Sequence, residues 1–240
     1  MRSAAPRDPV MTSKARAEAV ETRDLGPGDF PLLAGLFGPS GACAGCWCMW
    51  WRLEPGEQLR DIAHAQARRR QRALVEAGRS RGVLAFVGGE PVGWVAWARR
   101  TELPRLARSR TLACDDAAQV FSIPCFFVKA GYRGRGIARA LLRHALRTLR
   151  REGATVVEGY PVALGRRVSN GEAFTGTVPL FESEGFEVVT RGRTGRQRAR
   201  KLLRWVRARA AAPGPRRRAG GGSRARPPGR RRRPAPPPPG

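Results

Sequence analysis

Nowhere in this chain do 18 apolar residues run together, so no ordinary transmembrane helix is expected. The first residues, "MRSAAPRDPVMTSKARAEAVETRD", contain no apolar core followed by a small-residue cleavage site, so no secretory signal is expected either. Together these absences point to the cytoplasm. The cysteines number five, and an odd count in a reducing compartment speaks against a disulfide framework and for buried, reactive or metal-binding thiols. Acids are scarce, with 19 against 46 basic residues.

The basic surplus is unevenly placed. Residues 207–240, "RARAAAPGPRRRAGGGSRARPPGRRRRPAPPPPG", hold eleven arginines, no acid, and almost nothing apolar beyond alanine. Such a tract cannot bury enough surface to offset its ordering entropy, so it is expected to be a disordered tail, and residues 1–19 a disordered extension. Non-specific contact with nucleic acid, weakening steeply with salt, is the partner this tail's charge supports; biased composition without a role is the preferred reading. What remains, 20–206, is long enough for one domain with one core.

"GACAGCWCMWW" places Cys43, Cys46 and Cys48 within six residues. C-x-x-C is the usual first half of a zinc site, but the second half is missing: His64 or Cys114 could complete it only through a coincidence of the fold. The preferred reading is no metal, with these cysteines, Trp47, Met49, Trp50 and Trp51 forming an apolar wall, either core or substrate pocket.

Residues 29–38 and 55–78 read as helices, the second stopped by Gly78. Residues 82–98 read as two strands joined by a hairpin at Gly88-Gly89-Glu90-Pro91. "QVFSIPCFFV" (119–128) is apolar enough for a central strand, in which Pro124 marks a bulge or a splayed edge. From Ile137 to Glu152, the positions Ile137, Leu141, Leu142, Ala145, Leu146 and Leu149 share one helical face, and arginines occupy the rest.

Between that strand and that helix stands "GYRGRG". A helix N-terminus offers unpaired N–H groups and partial positive charge, and glycines let a phosphate approach the backbone, so a phosphate-holding loop is expected rather than an RNA-binding tract. No Gly-Lys-Ser/Thr is present, which excludes a P-loop. Arg139 stands where the dinucleotide fingerprint needs a third glycine after Gly134 and Gly136.

Arg133-Gly134-Arg135-Gly136-Ile137-Ala138 resembles the Arg/Gln-x-x-Gly-x-Gly/Ala signature of the GCN5-related N-acetyltransferase (GNAT) family. "FFVKAGYRGRG" resembles the family's fourth strand entering its acetyl-CoA pyrophosphate loop, "VGGEPVGWVAW" its second and third strands, and "VPLFESEGFEVV" (178–189) its fourth helix, Gly-Phe turn and sixth strand. The cysteine-rich stretch and "EGYP" are similar to stretches of uncharacterised bacterial acetyltransferases.

The resemblance implies an α/β fold with a mixed, mostly antiparallel central sheet flanked by helices, its fourth and fifth strands splayed. It implies acetyl-CoA as co-substrate, with the pantetheine arm along Phe126, Phe127 and Val128. The pyrophosphate would lie on the amides of Gly134, Arg135, Gly136, Ile137 and Ala138, with Arg133, Arg135 or Arg139 adding charge. The chemistry would be direct attack of a neutral amine on the thioester, with the Val128 amide as oxyanion donor. Where many members carry a tyrosine acid, this chain has Phe181; the candidate acids are then Tyr160 and Cys125, and the candidate base Glu158, with Glu172 or a water chain as alternatives. Tyr160 reads equally well as an ordinary aromatic at a strand end.

The acceptor pocket would be shaped by "CWCMWW" and residues 165–179, whose aromatic walls favour a small-molecule amine with an apolar part, protein amines remaining open. A catalytically silent acetyl-CoA sensor and a basic nucleic-acid-binding protein are the rival readings. The oligomeric state is not legible in the sequence.

Overall fold

The computed structural model describes residues 19–62, 64–162, 173–190 and 195–203. The expectations for nearly all of 1–19, for the 207–240 tail and its nucleic-acid contact, for Glu172, and for most of 165–179 lie outside these residues.

Seven strands form one sheet: β1 (Glu21–Asp24), β2 (Arg81–Val87), β3 (Glu90–Arg99), β4 (Val120–Val128), β5 (Val156–Gly159), β6 (Glu187–Thr190) and β7 (Arg198–Leu202), in the order β1-β2-β3-β4-β5-β7-β6. Every neighbouring pair is antiparallel except β4 and β5, which run parallel. The helices are α1 (Phe30–Phe37), α2 (His64–Glu76), α3 (Pro104–Ala107), α4 (Ile137–Arg151) and α5 (Val178–Glu182). This is the mixed, mostly antiparallel sheet flanked by helices that the sequence resemblance implies.

The β2–β3 hairpin turns on Gly88 and Gly89, whose φ values of 56° and 79° demand the left-handed freedom of glycine. Alternation then sorts the side chains of these strands. Val83, Ala85, Val95 and Trp97 join the core packed under α4, while Leu84, Phe86 and Trp94 join the core under α1 and α2. Both faces are covered, which is why β2 is almost wholly apolar. All six apolar positions expected on the α4 face are buried. Gly93 lets α4 lie close to the sheet: a Cβ there would stand 2.8 Å from Ile137 Cγ2.

The helix expected over 55–78 begins only at His64. Gly56 has a φ of 86°, and a 3-10 turn over Leu59–Asp61 seats Leu59 and Ile62 against the α1 core, so the apolar spacing read as helical is satisfied by a turn. Two strands had no sequence expectation: β1, which is polar and exposed, and the charged β7, which inserts between β5 and β6.

Candidate active site

The site begins where β4 and β5 part. Their parallel pairing runs from Val120↔Val156 to Ile123↔Gly159 and stops at Pro124, which has no N–H to offer. Against β3, the register advances two residues from Ala96 to Ala98 while β4 advances three from Ser122 to Cys125, so the bulge lies in β4 at Ile123-Pro124. The indole Nε1 of Trp51 donates to the Pro124 carbonyl at 2.9 Å, which satisfies that group inside the fold.

Beyond the bulge, Cys125–Val128 pair only with β3. Lys129 N–H donates to the Val92 carbonyl at 2.9 Å. By the alternation of an antiparallel ladder, Phe127 and Cys125 also bond toward β3, and the backbone groups of Phe126 and Val128 face the other way. Arg133 Nε confirms that direction by donating to the Val128 carbonyl at 3.1 Å.

What Phe126 and Val128 face is a slot of about 270 Å3 lined by Phe126, Phe127, Val128, Arg133, Ala138 and residues of the Phe174–Leu180 segment. At its outer end Gly134 and Gly136 have φ values of 75° and 77°, and Gly136 is the N-cap of the 15-residue α4. Nothing stands within 4 Å of a Cβ built on either glycine, so the loop backbone is open to a bound group. The expected arginines are partly engaged: Arg139 donates to Glu184 at 2.6 Å, and the Arg135 guanidinium lies 5.2 Å from the Tyr132 ring. An acetyl-CoA pyrophosphate fits this loop, since it offers unpaired helix N–H groups, open glycines and surplus positive charge.

At its inner end the slot meets a cavity of about 350 Å3, with Cys43, Phe126, Phe127 and Phe174 belonging to both. Four cysteines line this cavity: Cys43, Cys46, Cys48 and Cys125. The wall expected from the sequence divides here. Trp47, Met49 and Trp51 are core, while the cysteines and Trp50 form the lining. Residues Ala42, Ala44, Trp47 and Cys48 all have positive φ, a concentration of strained backbone in the loop that presents the thiols. Among the described residues, no group of three or more His, Cys, Asp or Glu side chains is arranged to hold a metal ion.

The thiols differ. Burial pushes the Cys46 thiol up to about 12. Cys48 and Cys125 lie 3.6 Å apart at their sulfurs, and Trp94 Nε1 donates to Cys48 at 3.3 Å. Their mutual hydrogen bond is the largest influence on both, drawing Cys48 below the ordinary thiol range and holding Cys125 well above it.

Tyr160 and Glu158 stand elsewhere, together. Both are 0% exposed. Arg100 Nη1 donates to Glu158 at 2.9 Å and to the Tyr160 hydroxyl at 2.7 Å, and Ser122 Oγ lies 2.7 Å from the same hydroxyl. Arg200 holds the other Glu158 oxygen at 3.0 Å. Burial pushes the Tyr160 hydroxyl well above its ordinary value. Neither residue lines the slot or the cavity, and Trp51 packs against the Tyr160 ring. Of the three catalytic candidates, Cys125 alone reaches the cavity.

Phe181 is fully buried between the splayed strands, its ring centroid 5.9 Å from that of Phe126 and 4.9 Å from that of Phe186. Phe174 falls within the 165–179 segment expected to shape the acceptor pocket, whereas sequence reasoning missed Arg100, Ser122 and Arg196. Arg100 carried one signal, as a charge directly after an otherwise apolar strand; the others had none.

The slot, the open loop and the splay now stand in one place. Residues 46–162 match the Acetyltransferase (GNAT) family model. The GNAT match thus runs from the cavity wall at Cys46 through the bulge and loop to Val162, just past β5. Three solved structures of similar fold are a PaiA N-acetyltransferase from Thermoplasma acidophilum in complex with coenzyme A, a GCN5-related N-acetyltransferase from Kribbella flavida, and yncA, a putative acetyltransferase from Salmonella typhimurium with acetyl-CoA. The first is 13% identical, covers 77% of this chain and 99% of its own, and has a TM-score of 0.47. The second is 21% identical with 77% and 98% covered and a TM-score of 0.46. The third is 17% identical with 80% and 99% covered and a TM-score of 0.48. No curated protein matches the chain.

Proposed function

We propose that this chain is a GNAT-family N-acetyltransferase that moves an acetyl group from acetyl-CoA to the primary amine of a small molecule by direct attack on the thioester. The observation that carries this reading is continuity. An open glycine loop at the start of α4 leads along an unpaired β4 edge into an apolar cavity, with Phe126 and Phe127 common to slot and cavity.

The roles follow from that layout. The amides of Gly134, Arg135, Gly136, Ile137 and Ala138 receive the pyrophosphate, and Arg133 and Arg135 lie beside it. The pantetheine arm lies along Phe126–Val128 as an added strand. Both the Phe126 and Val128 amides face the slot, and Phe126 is the one that also borders the cavity, so it takes the oxyanion role in preference to Val128. Cys125, kept protonated in its surroundings, is the acid for the departing thiolate. Tyr160 and Glu158 would act only if Arg100 and Ser122 released them, so we assign them to holding β4 against β5.

The cavity suits an amine carrying an apolar or aromatic body. The test is incubation of the full chain with acetyl-CoA and a panel of aromatic and aliphatic amines, with mass spectrometry for acetylated product and a thiol assay for released CoA. Product formation that requires Gly136 supports the reading. Acetyl-CoA binding without turnover on any amine would instead favour a sensor.

A further inference from the structure

Acetyl transfer to an amine needs a group that takes the amine proton, and the lining of this site contains neither a carboxylate nor an imidazole among the described residues. The titratable side chains around the cavity and the slot are Cys43, Cys46, Cys48, Cys125, Arg133 and Arg196. Guanidiniums do not give up their protons near neutral pH. Among the described residues of this lining, the thiols are therefore the groups able to accept one.

We propose that Cys48 is the proton acceptor of the transfer and that Cys125 passes a proton on to the departing thiolate. This rests on the acetyltransferase reading above.

The geometry separates the four thiols. Cys46 is deeply buried and receives backbone N–H groups of its own loop, that of Trp50 at 3.4 Å, but no side-chain donor among the described hydrogen bonds. Cys43 has no side-chain donor aimed at it among the described hydrogen bonds. Cys48 accepts from the Trp94 indole of β3 and donates to the Cys125 thiol of β4. As neutral thiols, either member of the Cys48–Cys125 pair can donate to the other. The indole N–H faces Cys48 and not Cys125, so when one proton leaves the pair the charge settles on Cys48. Arg52 adds attraction from beyond the same loop, while Cys43 and Cys46 face the pair from its own loop as neutral thiols. Arg196, at the cavity wall, is the remaining charge. The left-handed φ of 60° at Cys48 turns its side chain onto β4 at a cost in backbone strain, as is common where a group is held for function.

The proton balance closes. The Cys48 thiolate takes a proton from the attacking nitrogen as the new C–N bond forms. The C–S bond of the thioester breaks, and the coenzyme A thiolate leaving it takes the Cys125 proton. Cys48 then hands its proton to Cys125 across the 3.6 Å contact, restoring the starting pair. The net change is an amine and acetyl-CoA becoming an amide and coenzyme A, with no oxidant or metal consumed. One residue ready to accept and its neighbour ready to donate is how paired titratable groups divide acid and base work.

The experiment is the rate of Cys48 alkylation by iodoacetamide in the full chain, followed by peptide mass spectrometry from about pH 5 to about pH 10, spanning the free thiol value of about 8.5. The expected midpoint for Cys48 lies below that value. Cys125→Ala should raise it, as should Trp94→Phe, so the test survives if one variant does not fold. A Cys48 midpoint at or above that of an ordinary thiol overturns the proposal, as does a midpoint that neither variant moves. With any amine acetylated in the screen above, Cys48→Ala should lower kcat about 100-fold or more, the usual scale of a lost general base, and leave the KM for acetyl-CoA unchanged. Unaltered kcat overturns the proposal. Stabilisation of the parent by acetyl-CoA separates the two failures: its absence removes the acetyltransferase reading, whereas its presence beside an ordinary Cys48 removes only this one.

Discussion

Phe181 Cε1 lies 2.1 Å from where a Cβ on Gly159 would stand, so the last residue of β5 must be glycine for the Phe181 ring to wedge the splay open. Gly159→Ala is therefore an overpacking change in the centre of the sheet. It should cost about 1–3 kcal/mol, measured as a lowered urea midpoint at unchanged slope.

The same wedge decides what a tyrosine would do at position 181. The Phe181 ring is fully buried against Phe126 and Phe186. Phe181→Tyr adds a hydroxyl in apolar surroundings, and an unpaired buried polar group costs about 1–3 kcal/mol. The variant should be less stable and no faster in acetyl transfer; a gain in kcat would show that the hydroxyl reaches the thioester.

Arg100 is the partner that Glu158 and Tyr160 share. Arg100→Met leaves the buried Glu158 without one of its cations, a loss that typically costs about 3–5 kcal/mol. Thermal unfolding should show this as a large drop, with Arg100→Met, Glu158→Gln together recovering part of it.

Alkaline pH should weaken the fold through Cys46 and Tyr160. Burial raises both in the folded chain, Cys46 to about 12. Their contribution is complete below the pH at which the unfolded chain ionises, about 8.5 for the thiol and about 10 for the phenol, and is lost as pH rises from there. Stability should thus fall from about pH 9 upward. Absorbance of the tyrosinate should show Tyr160 ionising only on unfolding.

Much of this was legible in the sequence because local chemistry forced it. Gly88-Gly89 and Gly134-Gly136 sit where left-handed backbone is needed, Pro124 where a strand loses its neighbour, and the α4 apolar face repeats at helical spacing. The rest depended on distance along the chain. β7 reads as a basic tract because Arg198 and Arg200 serve Glu158 and Asp116, partners some 40 to 84 residues away. Edge strand β1 is polar because it is exposed. The Cys48–Cys125 contact spans 77 residues, and nothing near either cysteine announces it. Tyr160 and Glu158 looked catalytic by type, whereas their surroundings are those of a buried ionic joint.

The most direct test of the central claim is thermal unfolding of the full chain with and without saturating acetyl-CoA, beside a Gly136→Glu variant that places a charge and a side chain in the loop at a φ of 77°. At about 100 times the Kd, the parent should gain about 2.7 kcal/mol of stability. The variant, folded but with its loop blocked, should gain none. A folded parent that acetyl-CoA leaves unshifted would contradict the account.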